Sequence, residues 1–440
     1  MIQTLSCDRV AVFILIRQLF MSDRLNEQHP KSQSPRHTAS NPIIWTDLER
    51  NFISARQEHA YRVLADRSGL NGDVDAALAR FRIPAPTLDQ IMARSRARKP
   101  SSITEDQEAA FFDLVETTYA AYYKQDARTK WESPLRLGAW ELAYDKTVLP
   151  MQDAGFIKVP RPLMATMPCG SYNAQIWPLD RTIMFFDEGL YLFLGDMVKI
   201  FQRACPKIPV ETFFSDHALS QLPDFPLPDE SNAKLLADLL DAYIRTGTPQ
   251  SGQRAPLGDA DATFGGLFHN MLGFVLLHET GHEQLGHLDH KPCAEFEFQA
   301  DHFALNALSG FTLGTQNSFG IGYWAGLLTL FAIEFLDRAL WVEDRGQPMD
   351  KMQWIHDIYP SVRSRRQALV DNALAFENPH SRAAVHRITD VTSFVFGHLA
   401  AGVEHHLIEN RSTLDAPGLS PLWKAHLDAS FPPSSLTTVP

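Results

Sequence analysis

Apolar and polar residues follow one another along this chain with a spacing that is mostly helical. In residues 46–64 and 104–124, apolar side chains recur every three or four positions, which places them on one face of a helix. From residue 262 to about residue 410 the same spacing continues almost without interruption. The two ends, residues 1–45 and 426–440, are rich in Ser and Pro. We therefore expect a helical protein with a flexible tail at each end.

A different pattern occupies residues 140–195. Prolines and glycines divide this stretch into short runs, and residues 174–177 and 182–186 have the composition of strands. The predicted fold is therefore mostly α with a small β-sheet, in the α+β class. We place a helical N-terminal region at residues 46–135 and a second domain at residues 136–425.

Composition and charge narrow the expected partners. The 440-residue chain has 40 Lys and Arg residues against 52 Asp and Glu residues, a formal net charge of −12. Nucleic acids and anionic membranes attract proteins with an excess of positive charge, so we expect neither as a partner. The four cysteines lie far apart and form no CxxC pair. This usage is typical of free thiols in a reducing cytosol, and we expect a cytoplasmic location.

The most apolar stretch is residues 319–333, which ends at Glu334. It is shorter than the roughly 20 residues that a helix needs to cross a bilayer. We expect it to form a buried core helix, and we expect no insertion into a membrane.

The residues that carry chemistry lie at the polar end of a long apolar helical pattern, residues 264–288. His278, Glu279 and His282 form the motif HExxH. Residues four apart stack on one face of a helix, so both imidazoles can bind one tetrahedral zinc ion. Glu279 is one step around the helix, where it can take a proton from a zinc-bound water.

The end of this helix is also marked in the sequence. Gly286 is a typical helix stop, and Lys291-Pro292 prevents any continuation. His287 and His290 lie between these signals, and we expect them to cap the helix or to lie at its surface.

A catalytic zinc site needs a third protein ligand. A second predicted helix opens with Glu297-Phe298-Gln299-Ala300-Asp301, the pattern ExxAD. Glu297 and Asp301 share a face, so Glu297 can complete the ligand set while Asp301 accepts the free N–H of a ligating imidazole and fixes its tautomer. Glu295 is the rival ligand, but it lies about 200° around the helix from Glu297 and has no Asp four residues later. We favour Glu297.

With these two motifs the chain resembles the gluzincin metallopeptidases that carry an HExxH…ExxAD signature, namely the HtpX and CAAX-prenyl-protease family and its relatives. The similarity covers roughly residues 170–370. It implies a zincin-like core with an HExxH helix followed by an ExxAD helix, one Zn²⁺ per chain, Glu297 as the third ligand and Asp301 beside it. The membrane-embedded members have spanning helices, which this sequence lacks, so the chain is nearest in character to the soluble Lit-type phage-exclusion peptidases.

The resemblance also implies residues outside the two motifs. In the family an Asn-Ala edge strand holds the peptide substrate beside the metal, and Asn173-Ala174 matches it. The family has a His-Pro pair, followed five residues later by an Arg, near the transition-state oxyanion. Tyr359-Pro360 and Arg365 reproduce this spacing, with Tyr in place of His. A phenol can still donate a hydrogen bond to an oxyanion.

Two functions follow from these patterns. The first is a zinc-dependent endopeptidase that hydrolyses a protein or peptide substrate with Glu279 as general base. The second is a non-catalytic helical binding or regulatory protein in which a metal ion ties two helices together. Glu279 distinguishes them, because a structural metal site needs no base beside its ligands and fills all four positions with protein groups.

Overall fold

A computed structural model describes the chain at the following residues: 45–67, 69–81, 87–96, 105–123, 128–168, 174–204, 230–246, 262–311, 318–346, 348, 361–375 and 379–413. Both predicted tails, apart from residue 45, lie outside these ranges. All structural statements below concern the described residues.

The described elements are mostly helices, which confirms the helical prediction. In chain order they are α1 (Asp47–Arg67), α2 (Val74–Phe81), α3 (Leu88–Arg96), α4 (Glu105–Thr118), α5 (Pro134–Thr147), α6 (Leu149–Asp153), α7 (Glu188–Ala204), α8 (Glu230–Thr246), α9 (Ala262–Gln284), α10 (Ala294–Phe311), α11 (Ser318–Arg345), α12 (Val362–Leu374) and α13 (Pro379–Thr413). A π-helical turn, Tyr119–Tyr123, follows α4, and a 3-10 turn, His287–Asp289, follows α9.

A three-stranded sheet accompanies the helices, so the α+β class is confirmed. Its strands are β1 (Leu163–Met167), β2 (Ala174–Trp177) and β3 (Ile183–Asp187), in the order β1-β3-β2. β1 pairs with β3 in parallel and β2 pairs with β3 antiparallel. The strands β2 and β3 lie where the sequence predicts them, whereas β1 was not predicted. The proposed boundaries between domains stay a prediction.

Alternate residues of the sheet face two different cores, as the period of two in a strand requires. Leu163, Ala165, Ile183 and Phe185 pack with Ile53 of α1. Met164, Met184 and Phe186 point to the other side, into the main core of the helices. The sheet is thus covered by α1 on one face and by the helical core on the other.

Helix α9 lies at the centre of the main core. It packs against α5, α7, α10, α11 and strand β2. Met271, Leu272, Leu276 and Leu277 are each almost completely buried. A helix that is apolar around its whole circumference has to be covered on all sides. The apolar lead into HExxH therefore holds the motif rigidly inside the fold.

Helix α11 contains the predicted core stretch, residues 319–333. Its Tyr323, Trp324 and Leu327 are buried in the same core as α9, so the prediction of a buried core helix is confirmed. Within the described ranges, every helix is too short or too polar to span a bilayer.

Candidate metal centre

The turn between α9 and α10 brings the two motifs together. Gly286 has φ = 74°, in the left-handed region that favours glycine, and it ends α9 as predicted. After the 3-10 turn the chain reverses, and α10 packs along α9. A Cβ atom on Gly281 would lie 3.0 Å from Phe303 Cδ1 and 3.4 Å from Ala300 Cα. The missing side chain of Gly281 therefore allows the close approach that sets α10 beside the HExxH face.

His278, His282 and Glu297 form a group that could hold a metal ion. The two imidazole Nε2 atoms are 3.1 Å apart. Glu297 Oε2 lies 3.5 Å from His278 Nε2, and Glu297 Oε1 lies 3.6 Å from His282 Nε2. Tetrahedral bonds of about 2.0–2.1 Å place neighbouring ligand atoms roughly 3.3 Å apart. These separations lie on either side of this value, and the two imidazoles face different oxygens of Glu297. With one ligand atom from each residue, all three atoms lie within 4.8 Å of one another, so the residues fit a metal ion at their centre.

Asp301 orients the first imidazole of the group. His278 Nδ1 donates to Asp301 Oδ1 at 2.9 Å, because a carboxylate can only accept. This leaves Nε2 of His278 directed at the group. Burial by itself would lower the pKa of His278, but hydrogen bonds and charges from Asp301 and Glu297 raise it to about 10 in the metal-free protein.

Arg365, on α12, binds the two carboxylates of the site. Its Nε and Nη2 atoms each donate to Asp301 at 2.7 Å, and its Nη1 lies 3.1 Å from Glu297 Oε2. Burial opposes ionisation of both carboxyls, but the Arg365 charge overcomes it and holds the pKa of each below its usual range. Both carboxylates are therefore ionised, as a metal ligand and its neighbour should be.

Glu279 is buried beside the ligands without belonging to the group of three. Burial, together with the negative charge of Glu297, raises the pKa of Glu279 to about 7. A carboxyl with a pKa near neutrality can both accept and release a proton at physiological pH.

The second imidazole, His282, has a different environment from the first. Burial and the positive charge of His278 lower the pKa of His282 to about 3, so His282 is neutral. Its Nδ1 lies 3.0 Å from Nδ1 of His287. Metal ligation requires a neutral imidazole, and His282 already has this form.

His287 was expected to cap the helix or to lie at its surface rather than to be a further ligand; the surface position is wrong, and His287 lies outside the metal group. His287 is 6% exposed, and its ring lies between His282 and Gln299. After Gly286 the chain reverses and α10 packs along α9, so His287, the first residue after Gly286, is buried. His290 is exposed, as expected. The position of His287 directly after the helix stop suggests that it lies near the end of α9. Nothing in the sequence, however, pairs it with His282.

The structure brings six of the predicted residues together: His278, Glu279, His282, Glu297, Asp301 and Arg365. The rival Glu295 lies outside the metal group and accepts a hydrogen bond from Gln299 at 3.1 Å.

The substrate-strand and oxyanion predictions fall partly outside the described ranges. Ala174 is the first residue of β2, where it pairs with Phe186, and β2 contacts α9. Asn173 and Tyr359 lie outside the described residues. The oxyanion role of Arg365 stays a prediction, since the contacts above are with Asp301 and Glu297.

Comparison of the chain with protein-family models, with curated proteins and with solved structures gave no significant match.

Proposed function

We propose that the chain is a zinc-dependent endopeptidase of the gluzincin type, with His278, His282 and Glu297 as metal ligands and Glu279 as general base. The observation that carries this proposal is the cluster of three ligand side chains, whose nearest atoms are 3.1–3.6 Å apart in each pair of residues, with the buried Glu279 next to His278. The zincin-like core implied by the sequence motifs is part of the same proposal.

The donor set favours zinc. Two imidazoles and one carboxylate are the protein ligands of many hydrolytic zinc sites, where they leave one position for water or substrate. A zinc ion in such a site acidifies water and polarises a carbonyl oxygen. The same donors also bind Fe(II) in oxygenases. Glu279 favours the hydrolytic assignment, because hydrolysis needs a base at this position.

The residues around the ligands have distinct roles in this proposal. Glu279, with a pKa of about 7, would accept a proton from the attacking water and pass it to the leaving amine. Asp301 holds His278 in the tautomer that presents Nε2. Arg365 keeps both nearby carboxyls ionised.

Strand β2 supports a protein or peptide as the substrate. It lies at one end of the described sheet, beside the helix that carries HExxH. An extended peptide could pair with its outer edge by β-augmentation. The absence of nucleic-acid partners, the absence of membrane insertion and the cytoplasmic location stay predictions from composition.

A non-catalytic protein with a structural metal site is the alternative. A structural zinc site is usually closed by four protein ligands. Among the described residues, three acidic or histidine side chains form the group, and a buried carboxyl with a raised pKa accompanies it. These two observations favour the enzyme.

The test compares Glu279→Gln with the unaltered chain. Metal content would be measured by mass spectrometry and hydrolysis by profiling the cleavage of a proteome-derived peptide library. We expect about one zinc per chain in both proteins and hydrolysis only with Glu279 present. Glu283→Gln is a matched control, because Glu283 lies on the same helix but accepts a hydrogen bond from Thr182. Retained hydrolysis in Glu279→Gln would exclude the general-base role, and metal-free protein would exclude the centre itself.

A further inference from the structure

A chain of hydrogen bonds leads from the surface of the protein to the second imidazole of the metal group. Gln299 Nε2 donates to Glu295 Oε1 at 3.1 Å. Gln299 Oε1 faces His287 Nε2 at 2.9 Å, and His287 Nδ1 faces His282 Nδ1 at 3.0 Å. These hydrogen bonds start at Glu295 and Gln299, which are exposed, and end at His282, which is partly buried.

The carboxylate of Glu295 determines which atoms of Gln299 donate and accept in the first two hydrogen bonds. An ionised carboxylate can only accept, so the amide nitrogen of Gln299 faces Glu295 and its oxygen faces His287. The amide oxygen also can only accept, so His287 carries its proton on Nε2. In the proposed centre the lone pair of His282 Nε2 binds the metal, so His282 carries its proton on Nδ1 and donates it to Nδ1 of His287.

Stacking holds the ring of His287 in the plane that its hydrogen bonds to Gln299 and His282 require. It stacks on Phe296 with a centroid distance of 4.2 Å and an interplanar angle of 9°. The stacking partner lies on α10, the helix that also carries Glu297 and Gln299. Helix α10 therefore supplies one metal ligand and holds the group that orients another.

We infer that His287 is a positioning residue for the metal ligand His282, with Gln299 and Glu295 fixing the tautomer of His287. The inference rests on the proposed metal centre and adds to it a second oriented imidazole. The two ligating imidazoles are then held differently, since His278 donates to the buried carboxylate of Asp301, whereas His282 donates to the imidazole of His287. Outer partners of this kind orient a ligand and tune its basicity.

Three variants test the inference. His287→Phe keeps the stacking on Phe296 but removes both hydrogen bonds. His287→Asn restores an acceptor close to the position of Nδ1. His290→Phe is the matched control, because His290 is exposed on the same turn.

Two readouts do not depend on peptide hydrolysis. Zinc affinity would be measured by competition with a chelator, and the geometry of the site would be followed by the d–d absorption of the Co²⁺-substituted protein. We expect His287→Phe to bind zinc roughly 10–100-fold more weakly than the unaltered chain and to shift the cobalt spectrum. We expect His287→Asn to recover most of the affinity, and His290→Phe to match the unaltered chain.

The outcomes separate this inference from the proposed function. If the unaltered chain binds zinc but hydrolyses no peptide, the peptidase proposal fails and the role of His287 stands. If His287→Phe keeps the zinc affinity and cobalt spectrum of the unaltered chain, the role of His287 is refuted while the peptidase proposal stands. If His287→Phe does not fold, Gln299→Met decides. It removes the acceptor of the His287 proton from an exposed position, and an unchanged cobalt spectrum would refute the inference.

Discussion

Replacement of Asp301 by Asn should allow Arg365 to pair with the carboxylate of Glu297, the third ligand of the proposed metal centre. Asp301 is 2% exposed and accepts two hydrogen bonds of 2.7 Å from Arg365 and one of 2.9 Å from His278. Asn fills the same volume but carries no charge. Because Arg365 Nη1 already lies 3.1 Å from Glu297 Oε2, the guanidinium would pair more strongly with Glu297 and compete with the metal for it.

The expected loss has two parts. His278 loses the charged acceptor that fixes its tautomer, and Glu297 becomes engaged by Arg365. Loss of an outer partner typically lowers metal affinity 10–100-fold, or about 1.4–2.8 kcal/mol. The part due to competition depends on Arg365. A further Arg365→Met change should therefore restore affinity, with a coupling energy of about 0.5–3 kcal/mol between the two positions.

The assay is a double-mutant cycle on zinc affinity, measured by chelator competition for Asp301→Asn, Arg365→Met and the double variant. His302→Ala is a control, since His302 is the exposed neighbour of Asp301. Far-UV circular dichroism would check that each variant is folded. An Asp301→Asn protein with unchanged affinity would show that Asp301 does not support the site. A double variant weaker than either single variant would show that Arg365 does not compete for Glu297.

Three further predictions concern ligation, helix packing and pH. His282→Ala should lose the metal, because it removes one of the three ligand side chains, and full metal content by mass spectrometry would remove His282 from the ligand set. Gly281→Ala should destabilise the fold by about 1–3 kcal/mol in urea unfolding, because its Cβ would lie 3.0 Å from Phe303. In contrast, Gly397→Ala, which meets nothing within 4 Å, should stabilise it by about 0.4–1 kcal/mol. If both alanines behave alike, the close approach of α9 and α10 does not matter.

For pH, the hydrogen bond from Arg181 to Glu49 lowers the pKa of Glu49 from 4.5 to about 2. Its stabilisation is therefore present above about pH 4.5 and is lost as the pH falls towards 2. The unaltered chain should have an unfolding free energy about 1–3 kcal/mol higher than that of Glu49→Gln at pH 7. This difference should shrink as the pH falls from about 4.5 to 2, and a difference that stays constant would contradict the lowered pKa of Glu49.

Prediction from the sequence succeeded where neighbouring residues determine the structure. The apolar lead into His278, the stop at Gly286 and the spacing of His278 and His282 all follow from the geometry of one helix. The angle between two positions on a helix shows that Glu295 and Glu297 cannot both face the metal. The Asp four residues after Glu297 favoured Glu297, and the metal group contains it. Strands β2 and β3 were found from their composition and flanking turns.

The missed features all depend on contacts between distant parts of the chain. Strand β1 was not predicted, because its place in the sheet comes from pairing with β3 rather than from a distinct local pattern. The resemblance implied an oxyanion role for Arg365, but no pattern of neighbouring residues in the sequence predicts its contacts with Asp301 and Glu297. His287 was expected to cap the helix or to lie at its surface, and only the packing of α10 against α9 shows that it is buried.

The amino-acid sequence by itself determined that this protein is helical, where its apolar helix α9 runs, and that His278 and His282 lie on one face of it. These features arise from the fixed rise and rotation of a helix, which relate residues only a few positions apart. The tertiary structure alone decided which groups contact the three residues of the metal group: Glu297 meets the two imidazoles, the guanidinium of Arg365 binds Glu297, and the ring of His287 contacts His282. Each comes from an element whose position depends on how the whole core packs.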